Sequence, residues 1–426
     1  MTLTTGATRH DDHPRGGRLE RPARRPPTAR QVLRDLGPEQ LVNGLVGLLF
    51  SVSGPVAVIL SVGQHGGLSS DLIASWIFGV FVLNGILTVV ASWVYRQPLG
   101  FFWTIPGTVV VGQALTSLSW PEVVGAYLVS AVVMLALGLT GWVDRLMRLL
   151  PMPVVMAMVA GVFLQFGVDL VLAVDEDLAV GGAMVLAFLV ATAVPRLGRL
   201  VPPILGALVT GVVVVLAGGR MDPASAHGAW LAAPVLTAPD LSWAATVQLV
   251  VPLVITVLVV QNGQGMAVLQ GAGHRPPMNA VTIACGLWSV PAALVGAVST
   301  CLTGPTNALL TASGDRRRHY TAAIWCGLLA IGFGLLAQGM VRLMLGMPAS
   351  FVAALGGLAM LRALQGAFGV AFSGRFALGS LVTFLVTLSD VTVLHVGSAF
   401  WGLVVGLVVA RLVEPDDFRA AGTATG

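Results

Sequence analysis

Val260-Gln261-Asn262-Gly263-Gln264-Gly265 interrupts an apolar run that begins at Val247 and is broken before that point only by Gln248, Pro252 and Thr256. Fourteen such residues are most of a bilayer crossing, so two adjacent amides and two glycines arrive at membrane depth. Lipid offers no hydrogen-bond partner, and an unpaired polar group there costs several kcal/mol or more. The glycines, Gly263 among them, weaken the helix and let backbone approach a neighbour or a ligand. The stretch therefore reads as a polar kink that forms a binding site, Gln261 and Asn262 its polar groups. The competing reading is helix–helix glue, in which small and amide residues only hold two spans together.

The rest of the chain places that kink in a polytopic membrane protein. Only 10% of the 426 residues are charged and 56% are hydrophobic, against roughly a quarter charged in soluble domains. The basic excess is all arginine and is read through topology, not as a nucleic-acid signal. Cys285, Cys301 and Cys326 have no metal or redox spacing and read as packing residues. No metal-ligand cluster or nucleophile–base pair falls within the spans, so the sequence points away from an enzyme and calls for no cofactor.

Residues 1–40 hold eight arginines, five acids and many prolines without a repeating apolar face, which predicts a disordered basic tail and not a signal peptide. Apolar stretches come next near 41–62, 71–94, 101–118, 121–141, 152–172, 178–194, 201–217, 246–266, 280–297, 299–313, 321–340, 348–366, 376–391 and 395–412. That is fourteen expected crossings, with a connecting loop at 218–245 and a second tail at 413–426. With the first tail inside, the inner joints carry Arg96, Arg145, Arg148, Arg196, Arg199, Arg275, Arg316, Arg317, Arg318 and Arg375. The outer joints carry only Arg220, Arg342 and the acidic Asp175-Glu176-Asp177. This asymmetry predicts an inner-membrane protein with both termini cytoplasmic and 218–245 external.

Two spans are short and irregular. Phe101-Phe102-Trp103-Thr104-Ile105-Pro106-Gly107-Thr108 and Ser299-Thr300-Cys301-Leu302-Thr303-Gly304-Pro305-Thr306-Asn307 share a Thr-x-Pro kernel. Each is expected to begin extended and then start a half-helix with Pro in its first turn. Met152-Pro153 and Met347-Pro348, each separated by seven residues from a glycine, Gly161 and Gly356, form a second echo. The chain then divides into two halves of seven spans, and because seven is odd the second half is inverted, as in secondary transporters.

At these residues the chain resembles the benzoate/proton symporter family, within the group that has the uracil-permease fold. The likeness is carried by Tyr95-Arg96-Gln97-Pro98 leading into Trp103-Thr104-Ile105-Pro106-Gly107, by 261–265 with Ala272-Gly273, and by Gly397-Ser398-Ala399-Phe400-Trp401-Gly402-Leu403. It implies an all-α fold of fourteen spans in seven-plus-seven inverted repeats, with core and gate domains. The ligand is then expected between half-helices 3 and 10, beside span 8. The resemblance also admits a homodimer. It implies import of a small aromatic carboxylate, benzoate, together with protons. Other readings are another small anion, a nucleobase-like solute, or a passive anion channel.

Half-helix N-termini favour a carboxylate between them, and Thr104, Gly107, Thr108, Thr306 and Asn307 are placed to donate to it. Phe102 and Trp103 can cover an aromatic ring, although aromatics entering a span also serve as packing. Ser53 sits in span 1 at the place that mirrors Asn262. Uracil-type relatives carry acids where this chain has Gln261 and Asn307; neutral amides suit an anionic substrate but remove a proton carrier. Asp169 and Asp390 are the acids nearest an apolar run, though both lie near expected outer ends where a carboxylate reaches water. Gly397 to Leu403 reads as close helix packing.

Overall fold

A computed structural model describes residues 19–143, 150–194, 202–389, 391, 393 and 397–423. Asp390, a candidate proton carrier by sequence, lies outside the described residues, as do Arg145, Arg148, Arg196 and Arg199. The molecule is a bundle of apolar helices. The first half contains α1 (Pro38–His65), α2 (Ser70–Tyr95), the strand β1 (Phe101–Trp103), α3 (Ile105–Ala114), α4 (Trp120–Thr140), α5 (Met152–Glu176), α6 (Leu178–Ala193) and α7 (Pro203–Ala217). The second contains α8 (Trp243–Gly271), α9 (Met278–Leu294), the strand β2 (Thr300–Leu302), α10 (Gly304–Leu310), α11 (His319–Leu335), α12 (Ala349–Ala371), α13 (Ala377–Leu388) and α14 (Ser398–Val413). Among the described residues six helices (α1, α2, α4, α5, α8 and α12) are long and apolar enough to cross a membrane alone. A seventh span arises if α11 is joined to Ala337–Leu345 across a 64° bend. Six more apolar helices are only 10–17 residues long.

Packing obeys a regular scheme. Helix α2 lies along α11 and α4 along α9, α6 pairs with α7 and α13 with α14, and α5 packs on α12. The α13–α14 contact is close because Gly402 and Gly406 leave no side chain between α14 and Thr383 and Thr387, and Ser398 Oγ donates to the Thr387 carbonyl at 2.9 Å. Small residues at such a crossing let backbones approach.

The expected kink in the eighth span is not a break. Trp243–Gly271 stays helical throughout, widened by π turns at Thr246–Val250 and Thr256–Asn262. A π turn adds a residue to the helical ladder and rotates the facing of every later residue in the helix. The polar residues at 261–264 therefore enter without the helix ending.

The described part of the basic tail, from residue 19 onward, also differs from expectation. Residues 19–37 are held against one end of the bundle, and 29–35 form a helix capped by Thr28. Glu20 accepts from the N–H groups of Asn279 and Ala280 at 2.9 and 3.0 Å and so caps α9. Trp93 Nε1 donates to the Pro27 carbonyl at 2.8 Å, and Tyr320 Oη to Asp35 at 2.8 Å. These partners lie up to 285 residues away along the chain, beyond the reach of composition. Joints 96–97, 273–275 and 316–318 meet at that same end, where Gln97 bonds Arg275 and Arg316 bonds the Gly273 carbonyl.

Candidate functional site

The two Thr-x-Pro segments are extended and pair with each other. β1 and β2 run antiparallel, with Phe101 opposite Leu302, Phe102 opposite Cys301 and Trp103 opposite Thr300. Thr104 N–H donates to the Ser299 carbonyl and Thr303 N–H to the Gly100 carbonyl, both at 3.2 Å. Helices α3 and α10 thus start from opposite ends of one short ladder. All six strand residues are buried, so the outer edges of this ribbon need partners from elsewhere.

Side chains supply them. Thr88 Oγ1 accepts from Phe101 N–H at 2.8 Å and donates to its carbonyl at 3.0 Å. Ser289 Oγ accepts from Thr300 N–H at 2.9 Å. Asn262 Oδ1 accepts from Leu302 N–H at 2.7 Å. Asn307 Oδ1 accepts from Gly100 N–H at 2.9 Å, while its Nδ2 donates to the carbonyls of Gly100 and Thr303 at 3.1 and 2.6 Å. Asn262 and Asn307, expected as ligand donors, are therefore committed to backbone. They act as staples that fix the ribbon to α8 and one half-helix to the other.

Beside the ribbon lies a pocket with about 280 Å³ of open volume, lined by Phe50, Ser51 and Pro55 of α1, Phe102, Trp103, Ile105, Gln261, Thr303, Pro305 and Thr306. Three of these residues hold buried polar atoms with no protein partner: Gln261 Oε1, Thr303 Oγ1 and Trp103 Nε1. Ser51 Oγ donates to the Gly47 carbonyl at 3.0 Å and shares a 3.3 Å hydrogen bond with Thr306 Oγ1. Phe102 and Trp103 stand edge-on to each other and to Phe81, with centroids 5.3–6.1 Å apart. Among the described residues, none that lines the pocket is charged. The pocket therefore combines uncharged hydrogen-bonding groups, aromatic walls and the start of two half-helices, whose first N–H groups have no partner within the helix.

Four of the expected residues meet here: Phe102, Trp103, Gln261 and Thr306. The others do not line this pocket. Thr104 caps α3, its Oγ1 accepting from Gly107 N–H at 3.1 Å, and Thr108 Oγ1 returns a bond to the Thr104 carbonyl at 3.0 Å. Gly263 is half-buried on α8. Ser53 belongs to the opposite face of α1. Its hydroxyl donates to the Leu49 and Phe50 carbonyls, and it lines a separate apolar cavity with Val56, Leu208 and Phe333. Asp169 accepts from Gln165 at 2.8 Å on the exposed side of α5, apart from the pocket. Among the described residues no cluster of three or more His, Cys, Asp or Glu could hold a metal.

Sequence reasoning missed Ser51 and Thr303. Thr303 is visible in the Thr-x-Pro kernel. Ser51 is findable from helical phase, because it sits four residues before Pro55 on the same face of α1.

A helical membrane protein whose two half-helices start from a shared buried ribbon, with an uncharged polar pocket at their tips, has the build of a transporter. The sequence profile described as benzoate membrane transport protein matches residues 34–412, and the chain belongs to that family. The benzoate membrane transport protein of Acinetobacter baylyi is 30% identical over 86% of this chain and 93% of its own length. The inner membrane protein YdcO of Escherichia coli is 28% identical over 88% of this chain and 95% of its own. The fold is also similar to that of SLC26A9, with a TM-score of 0.61 at 13% identity over 88% of this chain; the chain spans 64% of that longer protein. The transmembrane domain of the cyanobacterial bicarbonate transporter BicA gives 0.55 at 14% identity, over 91% of this chain and 99% of that one.

Proposed function

We propose that the protein is a secondary transporter that imports a small aromatic carboxylate, benzoate, together with a proton. The observation that carries this reading is the tip pocket, where Gln261, Thr303 and Trp103 offer unpartnered polar atoms beside aromatic rings. A carboxylate placed between the half-helix starts gains from their partial positive charge without a fixed counter-ion. Gln261 can turn its amide nitrogen to it, and Thr303 and Trp103 have hydrogens to give. The ring then lies against Phe102 and Trp103.

The chain is read as fourteen spans in two inverted halves. The packing scheme supports this, because exchanging the halves turns the α2–α11 contact into α9–α4 and α6–α7 into α13–α14. In this reading α1–α4 and α8–α11 form the core and the remaining helices the gate. The end that carries 19–37 and Arg316–Arg318 faces the cytoplasm, and the protein sits in the inner membrane.

Uptake of labelled benzoate into proteoliposomes, with and without an imposed pH gradient, tests the assignment. Accumulation only with the gradient supports symport, and uptake indifferent to it removes proton coupling. The uncharged lining favours one second reading, a neutral nucleobase-like solute, which competition by uracil against benzoate decides. A passive channel would show no trans-stimulated exchange.

A further inference from the structure

The segment 228–245 joins the two halves of the chain, yet it does not hang free. Ala232 N–H donates to the Leu335 carbonyl at 2.8 Å, at the end of α11. Thr237 N–H donates to the Leu294 carbonyl at 3.0 Å, at the end of α9, and Asp240 N–H to the Pro121 carbonyl at 2.9 Å, at the start of α4. Val235 N–H donates to Ser75 Oγ of α2 at 2.8 Å. The segment is thus stitched to four helices and satisfies terminal carbonyls of two of them.

Its side chains are apolar and uncovered. Leu231, Leu236, Leu241 and Trp243 leave 67, 76, 71 and 82% of their surface exposed, and Trp230 leaves 46%. Between Trp230 and Trp243 the one charged residue is Asp240. Such a density of exposed apolar groups is unfavourable in water and marks a contact surface.

The helices beneath indicate what covers it. On α9, Leu287 and Leu294 are exposed and seven residues apart, and Leu328 and Leu335 on α11 repeat the arrangement. Seven residues is two helical turns, so each pair forms a stripe that faces outward along an apolar helix. In a membrane bundle such stripes face lipid. Both stripes run to the carbonyls that the segment bonds, so the lipid-facing surface continues onto 231–243.

We infer that 230–243 is an interfacial belt, lying in the headgroup region of one leaflet with its leucines in the acyl boundary and a tryptophan at each end. Tryptophan is favoured at that level. Because β1 with α3 comes after α2 in the chain, and β2 with α10 after α9, the belt holds at one depth the helices that lead into the tip pocket.

Cysteine-directed spin labels test this. Cys285, Cys301 and Cys326 are fully buried, so a label reports an added surface cysteine. Labels at Leu236→Cys and Leu241→Cys, in vesicles, should be more accessible to lipid-soluble oxygen than to an aqueous nickel chelate. Ser373→Cys, in an exposed loop, should show the reverse. Nickel accessibility at 236 and 241 equal to that at 373 overturns the belt and gives the face to water. Shielding from both probes overturns it in favour of a protein partner. Variant Leu236→Glu/Leu241→Glu should lose transport in vesicles while substrate affinity in detergent stays unchanged. Full transport by that variant counts against the belt's holding role.

Discussion

Asn307→Ala separates a staple from a ligand group. The side chain makes three buried hydrogen bonds, accepting from Gly100 N–H and donating to the carbonyls of Gly100 and Thr303. The two carbonyls keep other donors, the N–H groups of Thr303 and of residue 307 itself. Their lost bonds cost about 1 kcal/mol together, whereas the orphaned, buried Gly100 N–H costs about 1–3 kcal/mol, for a total of about 2–4 kcal/mol. The variant should melt at a clearly lower temperature in detergent. Its folded fraction should bind benzoate within a factor of about three of the parent, less than ~0.7 kcal/mol. Scanning fluorimetry gives the first quantity and equilibrium binding on the monodisperse fraction gives the second. A variant that melts like the parent but binds tenfold or more weakly would refute the reasoning, since the Asn307 amide would then be engaged with the substrate.

Gln261→Ala and Thr303→Val should do the opposite, melting close to the parent while losing about one to two decades of benzoate affinity, the contribution of a hydrogen bond to a charged group. Ser51→Ala should weaken substrate binding and Ser53→Ala should not, since the two serines face opposite sides of α1; equal effects in a binding titration would contradict that geometry. In the loop before α9, burial, then His319 and then Arg316, push His274 down to about 4. The unfolded imidazole gains its proton near 6.5 and the folded one only near 4, so this residue's destabilising effect should grow as pH falls from 6.5 to 4. His274→Gln should flatten the melting temperature across that window. Hydrogen bonding from Arg220 chiefly holds the Asp177 carboxyl below the ordinary range. The stability it confers is present above the ordinary carboxylate pKa and lost as pH falls through its lowered one, and Arg220→Met should remove that acid sensitivity from the melting curve.

Much of this protein was legible in the chain because the signals are local. Long apolar runs with almost no charge can satisfy their backbone only as helices in lipid, which sets the class. A threonine two residues before a proline at 104–106 and 303–305 sets where extended chain becomes helix, since proline restricts its predecessor and tolerates the first turn. The docking of 19–37 onto the bundle and the facing of the polar residues were not legible. Gln261 and Asn262 are neighbours with the same chemistry, yet one amide ends in the pocket and the other on Leu302 N–H. The π turn that leads into them alters helical phase, and no simple 3.6-residue count anticipates it. Asn307 reads as a free donor until Gly100, 207 residues earlier, is brought alongside it. Which polar group is left over for a ligand is decided only after every buried backbone group has taken its partner, and those partners come from distant parts of the chain.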